Sequence, residues 1–162
     1  MGLFNRKAIQ ETGFVLEDGP EGRTLVVTGD WTDRAAAALS VGVADGLVLN
    51  YARGYRGRNL EFLRSWPLPR LDVLARTIKD IEPIYRMADT LQDLGLTTAP
   101  NAAVDCARLP HLRWIAVEDW TQLRDSLASA NGLHQVAVCG YLEDDLLAFA
   151  HSGEHRIVTL LY

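Results

Sequence analysis

The residues able to do chemistry are few and poorly matched. HSGEH places His151 and His155 beside Glu154, an i,i+4 spacing that would bring two imidazoles to one helix face as metal ligands. Ser152 and Gly153 interrupt such a helix and no third ligand accompanies the pair, so the segment reads as a loop. Cys139 lies in VCGY, with Glu118 expected one strand away. A thiol nucleophile needs an activating base within reach, and His134 is expected near the opposite end of the strand, so Cys139 reads as a small neutral residue. An enzyme of this sequence would be a small hydrolase using Cys139 or His151/His155. Neither set is complete, and no G-x-G-x-x-G or G-x-x-x-x-G-K phosphate loop occurs. The reading is a non-catalytic protein without metal or cofactor.

A second chemical feature is NYARGYRGRN, where Arg53, Arg56 and Arg58 alternate with Tyr51, Tyr55 and two glycines. Arginine interleaved with aromatics can grip phosphate or single-stranded nucleic acid by charge and stacking. Sixteen Lys+Arg against twenty-one Asp+Glu give a net charge of −5, the wrong sign for displacing counterions from a duplex. Nucleic acid is therefore disfavoured, and the segment is expected to be an exposed loop and a secondary interaction site.

The elements that must position these residues come from a repeat. LQDLGL, LRWIAV, LHQVAV and EHRIVT place Leu94, Ile115, Val136 and Ile157 at a constant step of 21, and Leu96, Val117, Val138 and Thr159 repeat it. LDVLAR from Leu71 puts Leu74 20 before Leu94, and Leu25 and Leu47 lie 22 apart, leaving one long step of 27 between Leu47 and Leu74. Each segment has the form L-x-x-L-x-L, whose last two apolar positions alternate with a polar or small one. That pattern fits a short strand with one buried face and one open face. About 15 residues separate the strands, enough for a crossover to a parallel neighbour. Thr32 or Asp33, Asn59, Asn101, and Asp119 or Thr121 are placed to cap short helices in these connectors. Leu123 and Leu127 supply one connector's apolar stripe, and Cys106 falls on the same core column. FVLEDGPEGRTLVV reads as a hairpin turning at Gly19, Pro20 and Gly22.

The L-x-x-L-x-L segments at steps of 20 to 22 resemble leucine-rich repeat proteins. The resemblance implies an α/β right-handed solenoid with a parallel sheet on its concave face and short helices on its convex face. Residues 1–162 would form one domain, with a cap hairpin over about 1–23 and seven repeats over about 24–162. One departure stands out. The family's Asn or Cys at the bend is replaced by Ala99, Trp120, Tyr141 and Tyr162, so the turns must satisfy their backbone groups in other ways. RTLVVTGDW followed by ADGLVLNYA also resembles the anti-sigma antagonist type of α/β domain, over the first third only.

This register gives an exposed column of Thr24, Gly46, Val73, Asp93, Trp114, Gln135 and Arg156. The next column is Val26, Val48, Ala75, Gly95, Ala116, Ala137 and Val158, small enough to leave a shallow trough. A third column runs through Thr28, Asn50, Thr77, Thr97, Glu118, Cys139 and Leu160. Trp114 has the area and the N–H donor of an interface hot spot. Asp93, Glu118 and Asp119 make an acidic field suited to a basic protein partner. Partner contact is thus expected at Asp93, Trp114, Glu118, Gln135 and Arg156, in a protein-binding module whose size and acidity suit an inhibitor or immunity protein. RIVTLLY would offer an unpaired apolar edge over residues 156–161, through which a homodimer is expected. The first residues, MGLFNRKAIQETGF, lack the apolar run of a signal peptide, Arg6 stands where an acylation motif needs Ser or Thr, and no stretch of about 18 apolar residues could span a bilayer. With two cysteines and no disulfide framework, a cytoplasmic protein is expected.

Overall fold

The computed structural model describes residues 13–99, 102–123, 126–140 and 157–160. They form an α/β fold on one eight-stranded sheet whose strands lie side by side in chain order. Strands β1 (Phe14–Gly19) and β2 (Gly22–Val27) make the expected antiparallel hairpin, pairing from Gly19↔Gly22 to Phe14↔Val27. Every later junction is parallel: β3 (Gly46–Asn50), β4 (Arg70–Leu74), β5 (Asp93–Thr97), β6 (Trp114–Asp119), β7 (Gln135–Gly140) and β8 (Ile157–Leu160). The expected cap boundary near residue 23 therefore falls inside β2, which belongs both to the hairpin and to the parallel array.

One face of the sheet is the core. Leu25, Leu47, Leu71, Leu94, Ile115 and Val136 form one buried row, and Val27, Leu49, Val73, Leu96, Val117 and Val138 form the next. They pack in one contiguous cluster with connector residues such as Leu39, Leu60, Ile84, Cys106, Leu123 and Leu127. Each buried leucine contributes about 1.5–3 kcal/mol, and in this topology it does so against its neighbours in the chain.

The register corrects the sequence reading at two strands. Leu47 pairs with Leu71, not Leu74, and Leu71 pairs with Leu94. The steps between these core leucines are 24 and 23 residues, so the long step of 27 does not exist. Arg70 and Asp72, not Val73 and Ala75, occupy the solvent-side columns; Val73 and Ala75 are buried, and Leu74, not Thr77, follows Asn50. At the other end Gln135 pairs with Ile157 and Val136 with Val158. Ile157 thus stands beside Gln135 where Arg156 was expected, and Arg156 lies outside the described residues.

The connectors are also tighter than expected. One α-helix occurs among the described residues, α1 (Asp33–Ser40), whose N-cap Thr32 accepts the Ala35 N–H at 3.2 Å. The other helical connectors are 3₁₀ turns of three to six residues: Tyr51–Arg53, Glu82–Met87, Cys106–Arg108, Trp120–Gln122 and Leu127–Ser129. Asn59 opens no helix; its Oδ1 accepts the Glu61 N–H at 3.1 Å in a local turn, and Asn101 lies outside the described residues.

Among the described residues the bends are satisfied without an Asn or Cys ladder. Asn50, Asp105 and Asp119 each accept a backbone N–H two residues on. Between neighbouring turns, Ala75 N–H donates to Thr97 O, Ala99 N–H to Ile78 O, and Val104 N–H to Gln122 O, all at 2.8 Å. Trp120, at one ladder position, is buried in the core instead. Tyr141 and Tyr162 lie outside the described residues.

Candidate interaction site on the open sheet face

Strand alternation carries one residue in two away from the core. The resulting row, fixed by pairing, is Thr24, Gly46, Arg70, Asp93, Trp114 and Gln135. Behind it run Val26, Val48, Asp72, Gly95, Ala116 and Ala137. Glycine and alanine at Gly46, Gly95 and Ala116 keep the floor low, and a groove of about 560 Å³ lies over these strands, bordered by Arg70, Asp72, Asp93, Trp114 and Gln135. Its volume falls within the range of binding clefts.

Three of the expected contact residues, Asp93, Trp114 and Gln135, are thus brought together, each half-buried. Arg70 and Asp72 join them. Sequence reasoning missed both, although LPRLDV from Leu68 repeats the L-x-x-L-x-apolar spacing three residues before LDVLAR. Arg70 has 17% of its side chain exposed and donates from Nη1 to Glu21 Oε2 at 3.1 Å. Its head lies over β3, because a Cβ built on Gly46 would come within 3.4 Å of Arg70 Nε. Asp72 leans the other way, over Gly95, where an added Cβ would meet Asp72 Oδ1 at 2.6 Å. Asp72 stays in touch with water, yet the surrounding groove removes enough hydration to push its carboxyl above the ordinary value. Desolvation also raises Asp93, with Glu21 adding to the rise and Arg70 and Arg113 opposing it.

The acidic field is rearranged relative to expectation. Glu118 pairs with Arg76, and Asp119 caps the Trp120–Gln122 turn by accepting from Thr121 N–H at 2.8 Å and Thr121 Oγ1 at 2.7 Å. Glu21, Asp72 and Asp93 are the acidic residues that line the groove.

The Arg/Tyr loop is built differently from the exposed loop expected. Tyr55 is buried and donates to Asn59 O at 3.3 Å, and burial, with Asp30 adding, pushes its phenol up to about 12. Arg53 is engaged by Glu17. Tyr51, Arg56 and Arg58 are exposed, so three of the five residues remain available for contact. A further cavity of about 270 Å³, which the sequence did not signal, is lined by Gln92, Pro110, His111, Arg113, Gly132 and His134.

Cys139 lies on β7, beside Glu118 by the pairing of Asp119 with Gly140. His134 precedes β7, five residues or about 16 Å of extended chain from Cys139. His151 and His155 lie outside the described residues. Among the described residues no group of three or more His, Cys, Asp or Glu could hold a metal ion, and no helix is long and apolar enough to cross a membrane. No protein-family model, curated protein or solved structure matches the chain.

Proposed function

We propose that the chain is a short solenoid of the leucine-rich repeat type that binds another protein through its open sheet face and catalyses no reaction. The observation that carries this reading is the groove itself, an open sheet face bearing Trp114, Asp72, Asp93 and Gln135 around a floor of small residues. Parallel strands in chain order at a step near 22 support the solenoid. A tryptophan on a water-facing strand supplies large apolar area for an interface. Asp72 and Asp93 favour basic side chains on the partner surface above β4 to β6. A small acidic protein of this kind suits an inhibitor or immunity role in the cytoplasm.

The test is capture from source lysate by wild type and by Trp114→Ala and Asp93→Asn variants, each with an unchanged circular dichroism spectrum. One protein retained by wild type and weakened at least about 30-fold by Trp114→Ala, the scale of a hot spot, is the expected result. Equal recovery by all three proteins rejects the open face as the binding surface.

A further inference from the structure

Among the charged side chains of the groove, Arg70 is the one with buried nitrogens that have no partner. Nη1 is engaged by Glu21, whereas Nε and Nη2 are buried and have no partner. These two nitrogens are not scattered. On a guanidinium, Nε–H and Nη2–H point in parallel from a single edge, and that edge matches the two oxygens of a carboxylate.

No carboxylate of the groove closes this edge. The guanidinium lies over Gly46 on β3, close to Thr24, whose Oγ1 is 3.2 Å from the Cβ position of Gly46. Asp93 pairs with Arg70 from β5, on the opposite side of β4 from the guanidinium, and Asp72 leans over Gly95 on that same side. Glu21, itself largely exposed, holds only the far nitrogen. Gly46 has no side chain to fill the space beside Nε. A largely buried cation with an unpartnered two-donor edge, beside a groove, is matched by a monovalent planar anion. Glu21, Asp72 and Asp93 around it weigh against a dianion such as phosphate, because each adds repulsion that a second negative charge would double.

We propose that the Nε/Nη2 edge of Arg70 receives the carboxylate of an acidic side chain, aspartate or glutamate, carried by the protein partner. This rests on the open-face reading and sharpens it: the partner segment presents a carboxylate above β2 and β3 beside basic groups above β4 to β6. Nε and Nη2 are buried as the side chain stands, so the carboxylate is received with a rotation of the guanidinium that gives up the exposed Glu21 contact, beside the Thr24 hydroxyl, which lies near Nε across Gly46. The groove thereby selects mixed charge in a fixed order, and a uniformly basic surface leaves Arg70 unmet.

Two measurements test this. Arginine Nε–H resonances of wild-type protein are followed during titration with sodium acetate, sodium chloride and sodium phosphate at matched ionic strength. The Arg70 signal is identified by its loss in Arg70→Lys. A saturable shift of that signal with acetate, absent with chloride and weaker with phosphate, is expected. No saturable acetate shift, or tighter saturation by phosphate, overturns the carboxylate assignment. In the capture assay, Arg70→Lys keeps the charge but loses the two-donor edge, and partner retention is expected to fall at least about tenfold. Loss in Trp114→Ala with full retention in Arg70→Lys rejects the carboxylate contact and leaves the open-face reading standing. Full retention in both rejects the two together.

Discussion

Tyr55 shows how far a residue's role depends on what packs around it. Its neighbours in sequence suggest a stacking surface, but its ring is buried and only Tyr51, with 59% exposure, keeps that character. The difference lies in Gly57: a Cβ there would fall 2.0 Å from the Tyr55 hydroxyl, so the ring passes where any other residue would block it. Burial sets a pH dependence whose sign is fixed. The phenol ionises near 10 in the unfolded chain and near 12 in the folded one, so the unfolded state releases the proton first. Stability is unaffected below about pH 10 and falls as pH rises from there through 12, by roughly 1.4 kcal/mol per unit. Tyr55→Phe is expected to cost about 1 kcal/mol at neutral pH through the lost hydrogen bond, and to flatten this alkaline decline. Denaturant midpoints of the two proteins, followed from pH 8 upwards, check it, and parallel profiles would contradict the assignment.

At the scale of elements, the sequence carried the strands better than what joins them. The column from Leu94 through Ile115 to Val136 was legible because each strand repeats one spacing and a slip would turn its apolar residues outward. LPRLDVLAR was ambiguous: Leu68, Leu71 and Leu74 are each three apart, so two registers satisfy the pattern and only pairing with Leu47 and Leu94 chooses between them. That one shift hid Arg70 and Asp72, and with them half of the groove. The connectors were legible in their caps, at Thr32 and Asp119, and not in their type, because 3₁₀ and α turns begin with the same side chains. Gln122 was invisible as a structural residue. It is buried, its Nε2 donates to Ala102 O at 3.2 Å, and its Oε1 accepts from Asp119 N–H at 3.1 Å, completing a capping box with Asp119. Gln122→Ala removes both hydrogen bonds and the capping box and is expected to lower stability by about 2–4 kcal/mol. A change under about 0.5 kcal/mol in urea unfolding would show that the turn is held without it.

For the whole molecule, chain-order pairing gives the sheet two outer strands among the described residues, β1 and β8, and they differ in what they offer a second chain. β1 reads FVLEDG, with Glu17 engaged by Arg53 and Asp18 bound to Arg23 at 2.7 Å. Charges on an edge strand discourage another backbone from pairing there. β8 reads IVTL, without a charge in its four residues, and it pairs through β7 alone among the described strands. Backbone groups on an apolar, uncharged edge are the ones that recruit a neighbour. A homodimer through β8 is therefore proposed, and light scattering is expected to show a molar mass that rises toward twice that of the chain with concentration. Thr159→Lys puts a charge on this strand and is expected to abolish the rise while leaving the circular dichroism spectrum unchanged. A single-chain mass at every concentration removes the dimer. Association that survives Thr159→Lys moves it to another surface, of which the groove, through Trp114, is the next to test.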